Sequence, residues 1–253
     1  VVQRIRVRYA RRGRLRFSSH RDFARAFERA LRRAEVPMAY SAGFSPHPKI
    51  SYVGAAPTGV ASEAEYLEIG LAERVDPDRL RATLDAALPA GLDVLECVPA
   101  GPGTLADRID AGEWKIELPG AAPTAVSEAL VAFLAADRVV VERRTKEGRR
   151  TLDARSAVVC GQVTAAFVPG LSEPCAILNV VVRQVSPTVR PDDVLAALRA
   201  VAGFEPPLAP RATRLAQGLL DDANRLADPL GPDRMLALPA REGEPGPAEQ
   251  SPA

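Results

Sequence analysis

The run Ser18-Ser19-His20-Arg21-Asp22-Phe23-Ala24-Arg25-Ala26-Phe27 decides how the first hundred residues are read, because the hydrophobic period changes within it. On its N-terminal side Ile5, Val7 and Tyr9 alternate with Arg4, Arg6 and Arg8, the period of two that a half-buried strand requires. On its C-terminal side Phe23, Phe27, Ala30, Leu31 and Ala34 recur at helical spacing. Ser19 with Asp22 three residues on has the capping-box spacing. The spacing predicts a helix from Ser19 to about Glu35, stopped by Pro37.

Beyond that helix, Met38 to Tyr40 and Ile50 to Val53 read as short extended pieces around the loop Gly43-Phe44-Ser45-Pro46-His47-Pro48-Lys49. Glu65 to Leu71 alternates, with Leu67, Ile69 and Leu71 inward and Tyr66 and Glu68 outward. Asp76-Pro77 opens a second helix carrying Leu80, Leu84 and Leu88, and Leu92 to Val98 closes the unit as a strand. The order β-α-β-β-α-β is the ferredoxin-like split βαβ pattern. Pro99 to Gly103 reads as a linker, after which the pattern recurs. A strand is expected at Trp114 to Leu118, a helix over Thr124 to Ala136 and a hairpin around Gly148. Strands near Ala157 to Phe167 and Cys175 to Val185 and a helix over Pro191 to Val201 complete it.

The expected fold class is therefore α+β, two ferredoxin-like sandwiches in tandem over residues 1–99 and 104–217. Residues 218–253, rich in Asp, Glu, Pro and Gly, are expected to form a disordered acidic tail. A chain of 253 residues can supply cores for two such units. Its three cysteines, Cys97, Cys160 and Cys175, match no metal-ligand or cluster spacing and read as reduced thiols. No metal and no cofactor is expected. No stretch approaches the roughly 20 apolar residues of a membrane helix and no secretory signal is legible, so a cytoplasmic location without membrane contact is expected.

Net charge is only +1, but residues 1–49 hold thirteen Arg and Lys against three Asp and Glu. This basic N-terminal segment points to an anionic partner. Arg21, Arg25, Arg29 and Arg33 stand four apart, a like-charge column that costs an isolated helix a few tenths of a kcal/mol per pair. It reads either as a solvated face, relieved by Glu28 beside Arg32, or as a surface that tracks phosphates. Arg4, Arg6 and Arg8 would extend such a surface over the open face of the first sheet, unless they pair across strands with Glu68.

The chain has two histidines, and both fall in this region. His47, fixed between Pro46 and Pro48, is presented rigidly, which suits acid–base work, a metal or a phosphate contact as well as a structural hydrogen bond. His20 opens the first helix, where free N–H groups and the dipole make an anion site with Ser18 and Ser19. The candidate catalytic residues are His47 and His20. The candidate phosphate ligands are Ser18, Ser19, Arg21, Arg25, Arg29, Ser45 and Lys49. His47 and Lys49 are expected at a cleft rim near the helix start, with Ser18 and Ser19 completing the pocket. No phosphate-binding glycine loop, dinucleotide fingerprint or serine-nucleophile elbow occurs.

The residues Leu15-Arg16-Phe17-Ser18-Ser19-His20-Arg21-Asp22, Phe27 to Ala34, Pro37 to Tyr40, Gly43 to Ser51 and Gly59 through Leu67 resemble a bacterial family of unknown function. That family is radical-SAM-linked, its members standing alone or fused behind a cobalamin-binding radical-SAM protein. The resemblance is specific over residues 4–70 and looser to about residue 215, with Asp153 and Arg155 at places where the family keeps Asp and Arg. It implies partnership with a radical-SAM enzyme, here in trans, and work on RNA. Three functions stay open: an accessory protein presenting RNA or another phosphate-rich substrate, a nuclease-like or transferase-like enzyme using His47 and His20, and a module docking an acidic protein.

Overall fold

The computed structural model describes residues 1–145, 148–166 and 175–237. Strand β1 (Gln3–Arg11) leads through a 3-10 turn at Gly13–Phe17 into helix α1 (His20–Arg33). Strands β2 (Ile50–Val53) and β3 (Ala61–Leu71), helix α2 (Pro77–Ala87) and strand β4 (Leu92–Pro99) follow. β1 lies between β4 and β3 and is antiparallel to both, while β2 pairs antiparallel with the later part of β3. The order across this half is β4-β1-β3-β2.

α1 starts where its cap chemistry directs. The Ser19 hydroxyl accepts the Asp22 N–H and the Asp22 carboxylate accepts the Ser19 N–H, so two otherwise unpaired donors are satisfied reciprocally. The helix buries Phe23, Phe27, Ala30 and Leu31 in one cluster with Ile5, Val7, Leu67, Ile69, Leu80 and Leu84.

The second half contains β5 (Ala111–Pro119), α3 (Pro123–Ala135) and the hairpin β6 (Val140–Thr145) and β7 (Gly148–Asp153). It continues with β8 (Val158–Ala166), β9 (Cys175–Arg183), α4 (Pro191–Ala202) and β10 (Arg211–Gly218). Its strand order is β10-β5-β9-β8, and β6 with β7 forms a separate two-stranded sheet. Ile116, Leu118, Phe133, Leu178 and Leu198 are buried in its core. Residue 167, expected at the end of β8, lies outside the described residues.

The two halves are not separate sandwiches. β10 pairs parallel with the start of β3 through Thr213 with Ala61 and Arg214 with Ser62, so one mixed sheet of eight strands runs through both halves. The reason lies in strand length. β3 has 11 residues and β2 only 4, which leaves the first residues of β3 with unpaired backbone groups on that edge for β10 to satisfy.

The sheet face opposite α1 and α2 is covered, not open. Ala64, Tyr66 and Val98 meet Leu105, Ile109 and Leu230 there in a small apolar cluster. Leu230 precedes α5 (Gly231–Ala237), whose Asp233 is buried against Arg6. Residues 219–237, assigned from composition to a disordered tail, are thus drawn onto the sheet by the apolar anchor Leu230 and by ion pairs of Asp233 with Arg6 and Arg108 and of Arg234 with Glu96. Residues 238–253 lie outside the described residues. No helix of the described residues is long and apolar enough to cross a membrane.

Candidate functional site

The solvent face of α1 carries the charge. Arg21, Arg25 and Arg29 are exposed and make no ion pair among the described residues. Arg33, last of the column, donates to the Ala87 carbonyl. Glu28 forms no ion pair with Arg32 to relieve them. At the helix start, cap formation consumes one of the expected ligands, Ser19. The Ser19 hydroxyl also donates to the Asp22 carboxylate at 2.7 Å, and these Ser19 hydrogen bonds hold the Asp22 carboxyl below its ordinary range. Ser18 is half-buried, and its carbonyl accepts from Arg11.

His20 is exposed, with its ring edge-on to Tyr52 at 4.8 Å between centroids. The Tyr52 hydroxyl is buried without a partner among the described residues, and burial, then the Glu28 carboxylate, pushes it up to about 12. It is therefore neutral and poorly suited to proton transfer at ordinary pH.

His47 lies elsewhere. A narrow hairpin, with Lys49 N–H donating to Ala39, Ser41 N–H to His47 and a bridge between Tyr40 and Pro48, folds the loop back beside the C-terminal part of α1. His47 lines a cavity of about 230 Å³ with Glu28, Arg32, Met38 and Tyr40. Ser18, Ser19 and His20 do not line it. The expected pocket of His47 with the helix start does not form, because the loop follows directly on the end of α1 and only β2 runs back toward its beginning. Glu28 stands about 12 Å along the axis from His20, so the two histidines line no common cavity. Ser45 and Lys49 are exposed on the same loop. Among the described residues no group of three His, Cys, Asp or Glu side chains converges.

A model of an uncharacterised protein family conserved in bacteria (DUF2344) matches residues 4–191. The chain belongs to this family. No curated protein matches it. A solved structure similar to it is the crystal structure of an unknown protein from Galdieria sulphuraria, 17% identical, covering 84% of this chain and 98% of that one, at a TM-score of 0.24. At that score the likeness carries no argument about fold or function.

In this member of DUF2344 the most heavily built polar features were not among the expected site residues. Arg6 is fully buried and its guanidinium donates to both Asp233 oxygens at 2.8 Å, with Glu68 at 2.9 Å. Asp233 also accepts from Arg108 and the Gly101 N–H. At the seam of the halves Arg214 is buried on Glu65 and lies over the Trp114 ring at 5.4 Å. Arg11, also buried, donates to the carbonyls of Ala56, Pro57 and Val60. A signal for part of this was in the sequence. Arg11 continues the inward parity of Ile5, Val7 and Tyr9, and Glu65 that of Leu67 and Ile69, and a charge on an inward parity must find a buried partner. Arg214 and Asp233 lie beyond the matched residues, too far along the chain for any local pattern to join them to Glu65 and Arg6.

Proposed function

We propose that this chain is an accessory protein that holds RNA by its phosphate backbone, with α1 as the docking surface, for a separate radical-SAM enzyme acting with it in trans. The observation that carries this reading is the exposed column Arg21, Arg25 and Arg29, which forms no close ion pair among the described residues. Such a column costs the isolated helix free energy, which a polyanion offsets by neutralisation and counterion release. Phe17 and Phe44 are exposed on the turn before α1 and on the loop after it, and Arg16 stacks on Phe17 at 4.5 Å. Exposed rings beside a basic face suit unstacked bases of single-stranded RNA better than a duplex. The radical-SAM partner follows from the family, not from this surface.

The test is a titration of labelled single-stranded RNA at low salt beside polyglutamate of equal charge, with co-purification of the radical-SAM enzyme from the same genome. The reading predicts RNA binding that weakens steeply with salt. Binding of polyglutamate but not RNA would make α1 a face for an acidic protein.

We infer further that each half is a ferredoxin-like split βαβ unit sharing the one sheet. The support is the repetition of one strand order, β4-β1-β3-β2 and then β10-β5-β9-β8. An experimental structure of the full chain tests it: the order 4-1-3-2 is expected in both halves, and a different strand order in either half would contradict it.

A further inference from the structure

The seam between the halves holds a cleft of about 230 Å³, open to solvent on one side and lined by neither histidine. Trp114, Arg183, Gln184, Arg190, Arg214 and Gln217 line it, facing the turn at Gly54. That turn needs glycine. Its φ is +54, and a Cβ there would stand 2.9 Å from the Gln217 side-chain oxygen Oε1. Gln217 is held in place by donating to the Ala64 carbonyl and accepting from the Gln184 amide at 3.3 Å.

Charge is unbalanced in this lining. It contains three guanidiniums and no carboxylate. Glu65, behind the wall, neutralises Arg214. Arg183 and Arg190 form no ion pair among the described residues; Asp193, the nearby carboxylate at the start of α4, pairs with Arg143 at 2.6 Å and acts on the Arg190 guanidinium only at longer range. The Trp114 indole N–H has no acceptor among the described residues. Two open guanidinium forks, an apolar ring, a free N–H donor and fixed amides form a receptor for a compact dianion carrying a small organic group.

We propose that the seam cavity binds a small phosphomonoester, its phosphate between Arg183 and Arg190 and its organic part against Trp114 and Gln217. The proposal is independent of RNA docking on α1. A dianion matches the two open guanidiniums, and the volume admits a phosphoryl group with a small substituent.

Trp114 is the chain's only tryptophan, so its fluorescence reports this cavity alone. The full chain is titrated at constant ionic strength with inorganic phosphate, ribose 5-phosphate and succinate, following Trp114 emission and, for the phosphates, ³¹P line width. The expected result is saturable binding of both phosphates, tighter for ribose 5-phosphate. Succinate should not saturate. Arg183→Gln with Arg190→Gln should weaken binding about tenfold or more without changing the urea midpoint, because both side chains are exposed. No saturable change in either signal, equal affinity for succinate, or undiminished binding by the double variant would overturn the proposal.

Discussion

Arg4, Arg6 and Arg8 alternate along β1, and Arg21, Arg25 and Arg29 stack along α1 only a few residues later. On the page of sequence the two rows look like one basic surface. In the fold Arg4 and Arg6 meet Glu68, Arg6 also meets Asp233, and Arg8 donates to the Glu63 carbonyl. The α1 row forms no close ion pair among the described residues, Asp22 acting on Arg21 and Arg25 only at longer range. A strand residue lies against neighbouring strands and whatever covers the sheet, so its charge is met within the protein. The outer face of a helix has no such neighbours, and its charge stays available to a partner.

Experiments that disturb the strand row should show the largest effects. Deleting residues 219–253 removes Leu230 and Asp233 together and should cost more than about 5 kcal/mol, read as a fall in the urea midpoint. A truncated protein as stable as the full chain would mean that the C-terminal segment does not hold the sheet face. Asp233→Ala alone leaves Arg6 buried with only part of its partners and should cost about 3–5 kcal/mol.

The same pair should give an acid limb to stability. Burial by itself would raise the Asp233 carboxyl, but hydrogen bonds from Arg6, the Gly101 N–H and Arg108 outweigh it and hold the group below its ordinary 3.8. A carboxyl lowered on folding stabilises fully above that ordinary value and loses its contribution as pH falls below it. Urea midpoints measured from about pH 6 to about pH 3 should fall less steeply for Asp233→Ala than for the unaltered chain. Parallel curves would remove Asp233 from the account. At the small end, Arg25→Ala with Arg29→Ala should move stability by no more than about 0.5 kcal/mol, since no described partner is lost. A larger loss would show that the column has a structural duty.

What could be read in the sequence follows the same division between near and far. The capping box at Ser19 and Asp22, the Phe23 and Phe27 stripe and the alternation of Ile5, Val7, Leu67 and Ile69 are local patterns, and each stands in the structure where its period placed it. The continuity of the sheet was not legible, because it depends on β10 finding an edge of β3 some 150 residues away. Nor was the fate of the acidic C-terminal segment. Its composition argues for disorder, and only distant groups, Arg6 on β1 with Arg108 and the Gly101 N–H, give Asp233 a reason to fold. For the site, the exposed arginines of α1 were readable from spacing alone. The separation of His20 and His47 was not, since it is set by a hairpin whose closure rests on backbone hydrogen bonds.

The most direct test of the account is the salt dependence of RNA binding in three proteins: the unaltered chain, Arg25→Ala with Arg29→Ala, and Arg4→Ala. In a plot of log affinity against log salt concentration, each lost phosphate contact should flatten the slope by about 0.7. The account predicts a slope flatter by about 1.4 for the α1 variant and an unchanged slope for Arg4→Ala, whose charge is already met by Glu68. Equal slopes for all three proteins, or no RNA binding at low salt, would contradict it.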